Sequence, residues 1–204
     1  MRILKIKVDL KIFLIIILYI LTKNIEVFAM SFIFILLHEL GHAITGIILG
    51  LKIKKININV FGLSIEFENY GKERINNKII IDMAGPAINI ISFIVAVIFK
   101  NKEIAYINIL LAIINLLPIY PLDGGRIVKN LLLKKHNYKQ VVGYTEKISK
   151  NTLIIITAVS SLVILYIKNF GIFLVIIYLW SIALKEWKKN QIIKRAFQAI
   201  QNNT

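Results

Sequence analysis

The 204-residue sequence contains no cysteine, which excludes disulfide bridges, thiol chemistry and every zinc set built on thiolates. Proline is scarce: only Pro86, Pro118 and Pro121 occur. Helices can therefore run long, and the close pair at 118 and 121 is where one must stop. Acidic residues are also few, 11 against 26 lysines and arginines, leaving a formal net charge of +15. What fills the chain instead is apolar. Hydrophobic residues make up 57% and the mean hydropathy is +0.73, while the 18% that are charged cluster between apolar runs. That is the composition of a polytopic membrane protein, not of a soluble domain with a large core. Basic residues flanking membrane spans account for the charge, so nucleic acid is not expected as a partner.

The apolar runs are Leu10–Leu21, Val27–Leu51, Ile79–Phe99, Ile104–Leu117, Leu153–Ile167 and Phe170–Ala183. A spanning helix needs about 20 residues, so several are short, the first most of all. With about six spans and both termini cytoplasmic, only Lys23, Lys100, Lys102 and Lys168 of the 26 cations fall outside. Such an inner excess is what membrane insertion favours. A signal peptide is the rival for the N-terminus, because "VFA" before Met30 resembles a cleavage site. The polar "TKNIE" ahead of it fits that reading poorly.

After the second run, apolar and polar residues alternate over Ile56–Val60 and over Leu63–Phe67, with Gly62 between them. That is the period of a small β-hairpin. The tail "KKNQIIKRAFQAIQNN" reads as a short basic amphipathic helix on the inner leaflet. The expectation is one membrane-embedded, all-α domain over 1–204 with a hairpin-like loop. Its core lies at about 27–126, with peripheral helices at 10–22 and 153–187 and the tail at 188–204.

Within "FIFILLHELGHAITGIILG", Phe32 to Gly50, three ionisable side chains interrupt an apolar run. Each costs about 2.5–3.5 kcal/mol at the bilayer centre on insertion scales, so a compensating partner is needed. Four residues turn a helix through about 400°, which puts His38 and His42 on one face. Two neutral imidazoles at that spacing can share Zn²⁺, and Glu39, rotated by about 100°, can serve as a base. Gly41 would let another segment approach closely. A third ligand must come from elsewhere. His136, in "LLKKHNYKQ", reads as a solvated loop residue. The carboxylate candidates are Asp82 in "IIIDMAGPAIN" and Asp123 in "NLLPIYPLDGGR". Asp123 is favoured, because broken backbone at membrane depth normally lines a cavity. In this reading the site lies in the inner half of the membrane and opens toward the cytoplasm.

"HELGH" on one span and "NLLPIYPLDGG" on a later one resemble the site-2 protease family of intramembrane zinc metalloproteases. "AGPAIN", Ala84 to Asn89, is similar to the small-residue motif of that family's third core helix. The short first apolar run, read as a tight helical hairpin with the second, together with "FGLSIEFE" and "NLLPIYPLDGGR", is similar to the stage IV sporulation protein FB branch. The resemblance implies a three-helix protease core, one zinc ion held by His38, His42 and Asp123, and Glu39 as the catalytic base. It places Asn115 and Pro121 in the substrate cleft, where Asn89 is also available to bond unwound backbone. It further implies a membrane-associated sigma-factor precursor as substrate, and inhibitory membrane proteins as partners. Members of that branch often carry a C-terminal cystathionine-β-synthase-type domain, which no stretch of these 204 residues matches. The rival reading is a non-catalytic metal-binding membrane protein, a transporter or a pseudoprotease scaffold, in which Glu39 would have no role as a base.

Overall fold

A computed structural model describes residues 5–8, 25–59, 62–167 and 171–202. The first apolar run, read as a short span over 10–22, lies outside the described residues. The chain divides into two compact units, Met1–Asn115 and Leu116–Thr204.

The first unit holds strand β1 (Lys5–Val8), helix α1 (Ile25–Ile48), strands β2 (Ile53–Asn59) and β3 (Gly62–Phe67), and helices α2 (Ile75–Ile98) and α3 (Lys102–Leu116). The expected hairpin is present: β2 and β3 pair antiparallel, with Ile56 opposite Ile65 and Asn59 opposite Gly62. The strand β1 is an addition, parallel to β2 with Lys5 opposite Lys55. The sheet order is β1-β2-β3, so β3 has one unpaired edge among the described strands.

The helices α1 and α2 are inside-out compared with soluble helices. On α1, Ile33, Leu37, Leu40, Ile44 and Ile47 form an exposed apolar stripe, whereas His38, Gly41, His42 and Gly46 are buried. On α2, Ile80, Met83, Ile91 and Ile94 are exposed, whereas Asp82, Gly85, Pro86 and Asn89 are buried. This distribution suits lipid as the outer solvent, with polar groups turned inward to find partners. A Cβ at Gly41 would meet the Ala84 carbonyl and the Ile88 side chain, so the glycine does allow α2 to close on α1. A Cβ at Gly46 would strike the Phe67 ring, which brings β3 against the same helix. At the start of α2 the exposed Glu73 carboxylate accepts from the Arg74 N–H at 2.9 Å and the Asn77 amide at 2.8 Å. The Arg74 hydrogen bond, followed by that from Asn77, holds the Glu73 carboxyl below its usual range.

The second unit holds α4 (Asp123–Leu133), α5 (Tyr138–Ile167) and α6 (Gly171–Asn202). Ile119, Leu153, Leu179 and Ala183 form its buried core. The Ser149 hydroxyl accepts from the Tyr120 N–H at 3.0 Å, which ties the Pro118–Pro121 turn to α5. The basic tail is not a separate helix as expected: α6 continues through it to Asn202, since no glycine or proline interrupts Ile172–Asn202.

Among the described residues, Ala29–Ile48, Ile75–Ile98 and Tyr138–Ile164 are long and apolar enough to cross a membrane. The helix α3, with 15 residues, reaches about 22 Å.

Candidate metal centre

His38 and His42 lie in the middle of α1, one turn apart and both buried. His42 Nδ1 is 2.6 Å from the backbone oxygen of Ile81. A carbonyl only accepts, so Nδ1 carries the proton and donates it. His38 Nδ1 is 2.5 Å from Asn89 Oδ1. The Asn89 amide nitrogen donates to Asn108 Oδ1 at 3.1 Å, which turns its oxygen toward His38 and fixes the same tautomer there.

Both Nε2 atoms therefore keep their lone pairs, and they lie 3.1 Å apart. Two lone pairs aimed at each other repel unless a cation is shared between them. Two zinc–nitrogen bonds at the tetrahedral angle would hold such atoms about 3.3 Å apart. A Cβ on Gly85 of α2 would fall on both Nε2 atoms, so only glycine leaves the space before them open. The donor chemistry and the space fit a divalent ion.

Gly85→Ala is accordingly expected to lose bound zinc while the helices persist. Metal analysis beside circular dichroism checks this. Native zinc content in the variant would show that the space is not needed.

Asp123 is the buried first residue of α4. A carboxylate in a helix's first turn is favoured by the helix dipole. Arg126, one turn on, places Nη1 at 3.6 Å from Asp123 Oδ1. Gly124 and Gly125 sit where a Cβ would strike the backbone of Leu116–Tyr120, so the start of α4 is pressed onto the preceding turn. His38, His42 and Asp123 are all buried and make up a group that could hold one metal ion.

Glu39 is half-buried and follows His38 by one residue. Asp82, the competing carboxylate, is fully buried and accepts from the Tyr70 hydroxyl at 2.9 Å. Asn89, expected against substrate backbone, is fully buried between His38 and Asn108 and orients a histidine. Asn115 stands on the last turn of α3 and donates to the Leu111 carbonyl at 3.1 Å. Pro121 is exposed between α3 and α4, after a cis Tyr120–Pro121 bond. His136 is exposed at the end of α4, edge-on to Tyr144, as expected of a solvated residue.

Sequence reasoning missed Asn108. Its only sign was an amide within the apolar run "INILLAIINLL".

Residues 10–121, more than half of the chain, match the family model described as peptidase M50B-like. Residues 101–160 match that of peptidase family M50. A zinc metalloprotease of Methanocaldococcus jannaschii is 30% identical over 140 residues, 63% of this chain and 40% of the relative. Stage IV sporulation protein FB of Bacillus subtilis is 31% identical over 142 residues, 65% of this chain and 49% of the relative. The matched segments thus span less than half of these relatives. The solved site-2 protease from Methanocaldococcus jannaschii superposes with a TM-score of 0.67 at 26% identity, covering 91% of this chain and 93% of that one.

Proposed function

The chain belongs to peptidase family M50, the site-2 protease family, and on that premise we propose that it is an intramembrane zinc metalloprotease. It hydrolyses a peptide bond of a membrane-associated or transmembrane protein. The observation that carries the reading is the pair of Nε2 lone pairs 3.1 Å apart, each set by a hydrogen bond at the opposite ring nitrogen.

His38, His42 and Asp123 hold the ion. Bound zinc supplies Lewis acidity, which acidifies a water toward a pKa of about 7 and polarises a carbonyl. The Glu39 carboxylate takes the proton from the attacking water and returns it to the leaving amine. A helical substrate has its carbonyls locked in hydrogen bonds, so it must unwind before cleavage. The edge of β3 that has no partner among the described strands suits such an extended segment, which would add as a further strand. Asn115, whose amide can bond freed backbone, and Pro121 are the residues proposed to meet the substrate.

The cation distribution supports cytoplasmic termini and a site opening to the cytoplasm. Likeness to the Bacillus subtilis sporulation protein supports a role in spore formation. A membrane-associated sigma-factor precursor would then be the substrate, with inhibitory membrane proteins as partners.

Asp82 is outside the ligand set in this reading. Asp82→Asn is expected to keep native zinc content, because an amide oxygen can still accept from Tyr70. Loss of zinc in that variant would return Asp82 to the ligand set.

Co-expression of the chain with candidate membrane-associated precursors tests the function. Zinc-dependent cleavage is expected with the native chain and not with Glu39→Gln. Zinc flux into vesicles without cleavage of any precursor would instead favour the non-catalytic alternative.

A further inference from the structure

Two asparagine side chains meet in the interior of the first unit with no exposure to solvent, Asn89 on α2 and Asn108 on α3. Burying an amide is costly unless its groups are bonded, and these are bonded in one direction. The Asn108 amide nitrogen donates to the Ile104 carbonyl at 3.0 Å, one turn back on its own helix. A backbone carbonyl cannot donate, so Asn108 Oδ1 must face away from it, toward Asn89. It accepts there from Asn89 Nδ2 at 3.1 Å, and Asn89 Oδ1 is left to accept from His38 Nδ1. The order of donors and acceptors along the chain is set at its far end, by a group that cannot flip.

We propose that Asn108 is a positioning residue for the metal: through Asn89 it fixes the tautomer and ring orientation that point the His38 Nε2 lone pair at the ion. The inference rests on the reading of His38 as a zinc ligand. It extends that reading to a residue on a third helix that touches neither the ion nor the peptide. Without Asn108 the Asn89 amide can rotate about its terminal bond and offer Nδ2 to His38. The imidazole then moves its proton to Nε2 and ceases to be a ligand. Partners of a ligating histidine typically contribute about 10–100-fold in metal affinity, and the effect here is passed on by one further amide.

The test uses the full chain purified in detergent and stripped of metal, with Zn²⁺ titrated against a chromophoric chelator. Asn108→Leu is expected to weaken zinc binding by about 10–100-fold. The ¹⁵N shifts of the His38 ring in the metal-free protein are expected to move from a pure Nδ1–H form toward a mixture. A residue that merely held α3 in place would change neither the tautomer nor the affinity at constant helix content.

Asn89→Leu with Asn108→Leu replaces both buried partners with apolar groups, a change that is often nearly neutral for stability. This pair keeps the proposal testable if Asn108→Leu alone does not fold. It should bind zinc no worse than Asn89→Leu alone, because Asn108 acts only through Asn89. Unchanged affinity and tautomer in Asn108→Leu would overturn the role. So would a pair variant whose loss is the product of two independent losses. A native chain that takes up no zinc would overturn the metalloprotease reading itself and the Asn108 role with it. Native uptake with an unaffected Asn108→Leu overturns the second alone.

Discussion

Glu39→Gln is expected to abolish cleavage while zinc content stays at the native level. Glutamine has the same length and shape as glutamate, and position 39 lies about 100° around the helix from His38, off the face that carries the two imidazoles. The Nε2 pair and its two anchors, Asn89 and the Ile81 carbonyl, do not involve Glu39. Metal binding should therefore be untouched. An amide cannot take a proton from water at neutral pH, so the step assigned to the carboxylate disappears. General acid–base groups contribute about 10²–10⁴-fold each. A group that both receives and returns the proton should lie at the upper end, which a cleavage assay reads as complete loss. Metal analysis and cleavage must be measured on the same preparation. Native cleavage by the zinc-loaded variant would remove Glu39 from the mechanism. Simultaneous loss of zinc would mean that the carboxylate is a ligand and the base lies elsewhere.

The parts of the molecule that were legible in the sequence are those where a single residue's chemistry is decisive. Three ionisable groups in an apolar run demand a partner, and His38 and His42 meet on one helical face because four residues make about one turn. Gly41 announced a close approach, and Ala84 and Ile88 of α2 make it. Gly62 marked the end of one strand run and the start of another. Three features were not legible, for separate reasons. The strand β1 reads as a basic flank of a membrane span, since "KIKV" has the same lysines that mark an inner loop, and its pairing with β2 is non-local. The extension of α5 back to Tyr138 lies in a mostly polar stretch whose apolar signal is only Val141, Val142, Tyr144 and Ile148; Thr145 and Ser149 share the buried face with Val141 and Val142, and Ser149 holds the Tyr120 turn. The role of Asn89 depends on which atom of its amide faces His38, and that is decided by Asn108, nineteen residues away. Spacing along a chain does not encode the direction of a hydrogen bond.

Asp123→Asn is expected to lose both zinc and cleavage. The two histidines supply two neutral nitrogen donors, and a catalytic zinc needs a third protein ligand. A carboxylate brings the negative charge that offsets part of the ion's own in a low-dielectric site. An amide oxygen at the same position is neutral and a much weaker donor. The same substitution removes an ion-pair partner of Arg126, whose guanidinium stands 3.6 Å from the carboxylate. The loss of affinity should therefore exceed that caused by a neighbouring orienting group, and at ordinary zinc concentrations the variant should be metal-free. The fold should survive, because asparagine is tolerated in a helix's first turn and the contacts of Gly124 and Gly125 do not depend on the carboxylate. Metal analysis of Asp123→Asn, with circular dichroism as the control for folding, separates the outcomes. Zinc retained together with full cleavage would mean that another carboxylate completes the set. Asp82 would be the first to consider, and it would have to give up its hydrogen bond from Tyr70 to do so.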